Sequence, residues 1–282
     1  MRTFVSGFVA AVMAASVGMA EVRLELTYLQ VLQEAPPILS NLDPIPEDLG
    51  LAGAEVGLAD NTTTGRFLGH LYAMTHVQVP LGEDPAQAAR AALEASPFLV
   101  IDAPGDVLRM ISDLPQAQEA ILLNAASGDN ALRDADCRAN LLHTLPSDAM
   151  RTDALAQFLV KRRWDRLALI EGTHPRDTAY AASLRASLTK FGLKLRSEKT
   201  WAFDADMRRN ASQEVPLFTQ DLKDHDVLLV ADEIHDFGRY IAYNTWDPRP
   251  VAGSEGLTAV AWSEVVEQPL KEKNFKAYSN EP

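Results

Sequence analysis

The feature that most constrains the fold of this chain is the repeated pairing of a short, uninterrupted apolar segment with a stretch of helical spacing. The apolar segments read PFLVI, AILLN, LALI and VLLV, and each is followed by a polar loop and then by a helical pattern. Strands that do not alternate between apolar and polar residues are buried on both faces, as parallel strands covered by helices are. The pattern therefore predicts an α/β fold with parallel sheets.

Residues at the expected helix ends support this interpretation. Asp84 precedes Pro85 and Ser147 precedes another helical pattern, so each is a candidate cap for the first turn. Gly192 is placed to end a helix. The two runs of strand–helix units are separated by residues 137–146, and the number of strands favours two sheets, so we expect a boundary between two lobes there.

The first twenty residues have the pattern of a secretory signal. Arg2 supplies a positive start, residues 4–17 are almost continuously apolar, and small residues stand at Gly18 and Ala20. This apolar run is shorter than the ~20 residues that a bilayer span needs. We expect residues 1–20 to be removed and the rest of the chain to reach the periplasm, without inserting in a membrane; a short membrane anchor is the alternative.

Charge and cysteine content exclude several classes of protein. The formal net charge of −13 argues against binding to nucleic acid, because that needs Lys and Arg to neutralise phosphates. One cysteine, Cys137, cannot form a disulfide framework, and we expect it to be a buried, inert thiol. Neither a G-x-G-x-x-G sequence after a strand nor a Walker A sequence occurs, so nucleotide binding lacks support and no cofactor is expected.

Candidate binding residues follow from the expected topology. In open parallel sheets, ligands bind just beyond the carboxyl ends of the strands. The loops at those positions carry carboxylates, one hydroxyl and one imidazole, which suit a ligand with an amine or several hydroxyls. The candidates are Asp102, Ser127, His174, Asp232, Glu233 and Glu255.

The same loops suggest two kinds of chemistry, nucleophilic catalysis by a serine and the binding of a metal ion. The segment AGSEG around Ser254 imitates a nucleophile elbow, but an elbow serine needs a later histidine, and no histidine follows His235. The segment DEIHD, residues 232–236, offers oxygen and nitrogen ligands to a metal. Contiguous acids after a buried strand are more often charges at a helix start, so we expect neither a catalytic residue nor a metal.

Several longer segments, taken in order, resemble one known family. Residues 51–69 (LAGAEVGLADNTTTGRFLG), 139–163, 167–192 and 253–257 are similar to the type I periplasmic solute-binding proteins of ABC importers, closest to the branched-chain amino acid receptor group. The segments NTTTGRFLG and CRANLLHTLPSD are similar in sequence to a narrower subfamily of these proteins, which is associated with pyrroloquinoline-quinone-dependent alcohol oxidation.

The resemblance implies two Rossmann-like lobes joined by a hinge, with residues 21–142 in lobe 1 and 143–256 in lobe 2. Residues 257–282 then correspond to a second crossover and a polar tail, where the chain is truncated relative to the family. Ser127 would hydrogen-bond the ligand from lobe 1 and His174 would pack on it from lobe 2. Asp232, Glu233 or Glu255 would pair with its cationic or hydroxyl-bearing part.

The function implied is transport, in which closure on a small polar solute presents a surface to the importer's membrane subunits. The loop that begins at Asp102 lacks the hydroxyl that the receptor group usually has there, so the resemblance does not fix an α-amino acid as the ligand. A periplasmic ligand-sensing protein, or a metal or cofactor carrier serving a dehydrogenase, is the alternative. A secreted α/β enzyme is a third hypothesis.

Overall fold

The computed structural model describes residues 21–34, 48–201, 219, 222–241, 249–254 and 257. These residues form two sheets in which all paired strands are parallel, with helices between the strands. The predicted α/β class is therefore confirmed. The expected signal, most of the polar tail and Glu255 lie outside the described residues.

The first sheet has five strands in the order β2-β1-β3-β4-β5. Its strands are β1 (Val22–Val31), β2 (His70–Val79), β3 (Phe98–Asp102), β4 (Ile121–Asn124) and β5 (Leu141–His143). Its helices are α1 (Leu51–Leu68), α2 (Pro85–Ala95) and α3 (Gly105–Ser112), with 3₁₀ turns at Pro115–Ala117 and Asn130–Arg133.

The second sheet has four strands in the order β7-β6-β8-β9. They are β6 (Arg166–Gly172), β7 (Lys194–Trp201), β8 (Val227–Ala231) and β9 (Val251–Gly253). The helices are α4 (Asp148–Arg162), α5 (Pro175–Lys190) and the short α6 (Gly238–Ile241).

The caps predicted from the sequence are present. The Asp84 side chain accepts a hydrogen bond from the backbone N–H of Ala86 at 2.9 Å, and Ser147 Oγ accepts from the N–H of Met150 at 3.2 Å. Gly192, just after α5, has φ of 74°, a left-handed conformation that a glycine adopts without steric cost.

Each sheet buries its strands against helices. In the first sheet the core lies against α2 and α3, and Leu29, Leu99, Ile101 and Leu122 are fully buried. The second sheet has a core on both faces: Leu167, Leu169 and Leu229 belong to one cluster, and Ala168, Ile170 and Val230 belong to the other. This two-sided burial is the reason why LALI and VLLV do not alternate.

Three features of the structure differ from what the sequence indicates. The apolar pattern of residues 49–60 predicts a helix that ends there, but α1 continues to Leu68, and the side chains of Asn61, Thr62 and Thr63 donate hydrogen bonds to carbonyls four residues earlier within it. The strand β2 was not expected, since it lies at the edge of its sheet and lacks a buried apolar run. Cys137 is exposed rather than buried.

None of the helices in the described ranges combines the length and the apolar character needed to cross a bilayer.

Adjacent residues of β4 test the core of the first sheet. Leu122 is fully buried and Ile121 is 43% exposed. We expect Leu122→Ala to lower the free energy of unfolding by about 2–5 kcal/mol, because it leaves a cavity between sheet and helices. The control Ile121→Ala should cost less than about 1.5 kcal/mol, because that side chain is already partly in water. Urea unfolding measures both, and equal losses would contradict the described packing.

Candidate functional site

Asp232 shapes the loop that follows β8. It is fully buried, and its carboxylate accepts hydrogen bonds from the backbone N–H groups of Asp236 at 2.9 Å, Phe237 at 2.9 Å and Gly238 at 2.6 Å. Its own N–H donates to Ser254 Oγ at 2.6 Å, and the Ser254 hydroxyl donates to its carbonyl at 2.7 Å. The carboxylate is thus used inside the protein to fold the loop.

Glu233, the next residue, is held by two arginines. Its side chain is 1% exposed, and Arg151 donates to it through both terminal nitrogens, at 2.9 and 2.8 Å. Arg176 Nη2 donates to Glu233 Oε2 at 3.2 Å. Arg151 lies in the first turns of α4 and Arg176 in the first turn of α5, so one carboxylate connects the loop after β8 to both helices.

Two buried aspartates complete this ionic cluster. Asp148 is 2% exposed in its side chain and lies 3.2 Å from Arg151 and 3.6 Å from Arg176. Asp177 Oδ1 accepts from the N–H of Glu233 at 2.6 Å. Burial raises the pKa of Asp177 to about 7; the N–H of Glu233 opposes this shift, and the negative charge of Asp232 adds to it.

Two histidines belong to the same edge of the second sheet. His174 is exposed and caps α5, where its Nδ1 accepts from the N–H of Arg176 at 3.2 Å. His235, in the loop that Asp232 shapes, has a left-handed backbone with φ of 61°. Its Nδ1 is buried and has no hydrogen-bond partner among the described residues.

At the first sheet, Asp102 ends β3 and joins a polar network across three strands. Its Oδ2 accepts from Tyr28 Oη at 3.1 Å and from Gln30 Nε2 at 3.3 Å. The other end of the Gln30 amide contacts His76 and Gln78 on β2. Burial and the charge of Asp102 both raise the pKa of Tyr28, so its phenol stays protonated and donates to the carboxylate.

Ser127 lies in a tight turn after β4. Asn124 organises this turn: its Oδ1 accepts from the N–H groups of Ala126 at 3.1 Å and Ser127 at 2.9 Å, and its Nδ2 donates to the Ser127 carbonyl at 2.7 Å. Ser127 is 4% exposed, and its hydroxyl accepts from the N–H of Asp129 at 3.3 Å.

This turn contacts the helices of the second sheet. The Gly128 carbonyl accepts from the N–H of Asp148 at 2.8 Å. Asn130 Oδ1 accepts from the N–H of Ala149 at 2.8 Å, and Asn130 Nδ2 donates to Ser183 Oγ at 2.7 Å. The loop after β4 and the loop after β8 are therefore connected, through Asp148 and Arg151, into one polar junction.

The structure thus places four of the six candidates at this junction: Ser127, His174, Asp232 and Glu233. Asp102 contacts the β1–β2 network instead, and Glu255 lies outside the described residues. Sequence reasoning missed Arg151, Arg176, Asp148 and Asp177. A usable signal was the presence of arginines in the first turns of two helices, where the helix dipole favours acids.

The described residues bear on the two alternative chemistries, a nucleophilic Ser254 and a metal bound near residues 232–236. The Ser254 hydroxyl is engaged with the backbone of Asp232. Within the described ranges, no three or more His, Cys, Asp or Glu side chains are grouped so that they could hold a metal ion.

Two solved structures share this fold. An ABC transporter substrate-binding protein from Desulfitobacterium hafniense is 14% identical with a TM-score of 0.58, and the match covers 83% of this chain and 66% of that one. An ABC transporter substrate-binding protein from the same organism, in complex with Leu, is 13% identical with a TM-score of 0.59, with coverage of 93% and 78%. No family profile and no curated protein matches the chain.

The Arg151–Glu233 pair provides a test of the buried cluster. We expect Arg151→Met to lower the free energy of unfolding by about 3–5 kcal/mol, because Glu233 and Asp148 lose the closest cation inside the protein. Arg138 also makes two hydrogen bonds to one carboxylate, through Nε and Nη2 to Asp113, but Asp113 is 55% exposed. Arg138→Met should therefore cost much less. Chemical unfolding of both variants measures this, and equal losses would contradict the argument.

The raised pKa of Asp177 predicts a pH dependence with a defined sign. Since the folded state holds this proton up to about pH 7, the group stabilises the fold at low pH and loses that contribution as pH rises from about 4 to 7. Asp177→Asn keeps the acceptor oxygen and removes the titration. The stability of the variant relative to the parent should rise across this range by at most about 1.4 kcal/mol per pH unit.

Urea unfolding of both proteins between pH 4 and 8 measures this difference. Carboxyls whose pKa is lowered, such as those of Asp153 and Asp226, are common to both proteins and cancel. A difference that does not change with pH would contradict the prediction.

Proposed function

We propose that this chain is the substrate-binding component of an ABC importer, and that it binds a small polar organic solute between two lobes, residues 21–142 and 143–256. The observation that carries the proposal is the polar junction. There the loop after β4 meets the helices α4 and α5 through Gly128–Asp148 and Asn130–Ser183, and Arg151 connects Asp148 to Glu233 in the loop after β8. Ligands of open parallel sheets bind at such edges. The shared fold with two substrate-binding proteins supports the same function.

In this proposal Ser127 and His174 contact the solute from opposite lobes. The Ser127 hydroxyl accepts one internal hydrogen bond, and no acceptor among the described residues takes its proton, which it can therefore donate to a solute. His174 is exposed, and only its Nδ1 is used for the helix cap. Asp232 and Glu233 serve the site by shaping the loop and by holding the two arginines, while Asp102 and Glu255 remain proposed contacts.

The remaining parts of the proposal rest on the sequence. Residues 1–20 direct export to the periplasm and are removed, and the closed protein docks on the membrane subunits of the importer. The link to quinone-dependent alcohol oxidation rests on the resemblance of NTTTGRFLG and CRANLLHTLPSD alone. A carrier that uses Asp232 for a metal is less well supported, because that carboxylate accepts three backbone N–H groups.

A thermal-shift screen of the full-length chain tests this proposal. The panel contains leucine, other amino acids, small alcohol-derived acids and metal ions. A solute that binds only the folded state raises the melting temperature, by an equivalent of about 2.7 kcal/mol at 100 times its Kd. Absence of a shift with every organic solute, in a sample shown to be folded by circular dichroism, would contradict the proposal.

A matched pair of serine variants locates the site. Ser127 and Ser112 are both buried, at 4% and 1% exposure, but Ser112 bonds within α3 to the Leu108 carbonyl. We expect Ser127→Ala to weaken binding of the solute found in the screen about tenfold, the cost of one hydrogen bond. Ser112→Ala should leave the Kd unchanged. Calorimetric titration measures both, and an equal Kd in the two variants would remove Ser127 from the site.

A further inference from the structure

We propose that the amino-end edge of the second sheet binds peripherally to a membrane surface that contains anionic phospholipids. This surface, the basic edge, consists of exposed cations and two aromatic residues: Lys161, Arg162, Arg163, Lys194 and Lys223 with Phe158 and Trp164. The inference goes beyond the proposed function, because it concerns the end of the sheet opposite to the solute site.

The parallel strands of the second sheet bring these residues to one edge. Arg166, the first residue of β6, is in register with Lys194, the first residue of β7. The helix α4 ends at Arg162, just before β6 begins, and Lys223 lies in the loop just before β8. Since the amino ends of parallel strands lie at the same edge of a sheet, these cations share one surface.

The cations of the basic edge are not used inside the protein. Lys161, Arg163, Lys194 and Lys223 are exposed, and none of them forms an ion pair with another residue in the described part of the chain. Each of these charges is therefore available to an anionic partner.

Most of the carboxylates at this edge are already paired with other cations. Arg166 pairs with both Asp224 and Asp226, and Arg249 lies 3.3 Å from Asp224. On the adjoining helices, Lys190 lies 2.6 Å from Asp153. Asp165 remains as an exposed acid beside the cations. The unpaired cations outnumber it, so the basic edge carries a positive charge.

This positive edge belongs to a strongly acidic chain, whose formal net charge is −13. Such a chain is repelled by an anionic surface as a whole, so it can bind one only in the orientation that brings the cations closest. The separation of charge within the molecule therefore selects both the sign of the partner and the face that meets it.

Two aromatic side chains adjoin the cations. Phe158 is 49% exposed, and its ring packs edge-on against that of Trp164 with centroids 5.9 Å apart. The Arg162 guanidinium lies 5.1 Å from the centre of the Trp164 ring. Lys161 and Arg162 follow Phe158 by three and four positions, so they lie on the same face of α4.

This combination fits a lipid surface better than an acidic protein surface. Lysines and arginines near anionic headgroups are attracted to them, and tryptophan is enriched at headgroup level. Lysine is instead depleted where two proteins meet, and lysines supply three of the cations at this edge, Lys161, Lys194 and Lys223.

Vesicle co-sedimentation tests the inference. The full sequence is expressed with its export signal, and the protein is purified from the periplasm. We expect binding to phosphatidylcholine vesicles that contain about 30% phosphatidylglycerol, and not to vesicles of phosphatidylcholine alone. Raising the salt from about 0.02 M to about 0.5 M should abolish binding, because salt screens exposed charges. Lys161→Gln combined with Lys194→Gln should weaken binding by about tenfold or more.

Two matched controls lie on the helices of the first sheet. Arg66→Gln combined with Arg90→Gln removes the same charge from two exposed arginines, which have no ion pair among the described residues, and should leave vesicle binding unchanged. Phe158→Ala should weaken binding, whereas Phe67→Ala, at a residue that is 85% exposed on α1, should not.

Absence of binding to the anionic vesicles, or equal binding by the lysine and arginine variants, would overturn the inference. Self-association at low salt in place of vesicle binding, lost in the lysine variant, would assign the basic edge to a second copy of the chain and would also overturn it. These outcomes are independent of the thermal-shift screen, which tests the proposed function by itself.

Discussion

The pairing of Glu233 with Arg151 is the interaction on which the rest of this site depends. A carboxylate buried to this extent is tolerated only when its lone pairs are satisfied, because the cost of leaving water is several kcal/mol. Arg151 of α4, the helix before β6, and Arg176 of α5, the helix after β6, both donate to Glu233, so both helices present their first turns to the loop after β8. The two ion pairs of Glu233 together therefore fix the placement of α4 and α5 relative to that loop.

At the first sheet, a buried uncharged residue likewise fixes the local structure through the hydrogen bonds that its side chain requires. Asn124 satisfies its own amide and three backbone groups of the turn that follows it, and it also contacts His143 Nδ1 at 3.0 Å. Burial and the nearby Arg133 lower the pKa of His143, so the imidazole is neutral and can share its ring nitrogen with the amide. One amide thereby sets the turn that carries Ser127 to the junction.

How far the sequence predicts this structure depends on the range of the interactions. Buried strands and the caps at Asp84 and Ser147 follow from residues within a few positions, and these predictions were correct. The strand β2 was missed because an edge position does not require an apolar run. The pairing of Arg151 with Glu233 spans 82 positions, so neither spacing nor periodicity indicates it. The sequence also does not indicate the left-handed backbone of His235, because nothing at this position requires that conformation locally.

Ser254 shows how a side chain can continue a sheet. Its backbone N–H pairs with Val230 of β8, and its hydroxyl then both receives the N–H of Asp232 and gives its proton to the Asp232 carbonyl. The hydroxyl thus takes the place of a main-chain donor and acceptor, adding a rung to the β8–β9 ladder beyond the last strand residue. Ser254, which looks like a nucleophile in the sequence, instead extends the pairing between β8 and β9. Only another hydroxyl, as in threonine, could replace both of its hydrogen bonds.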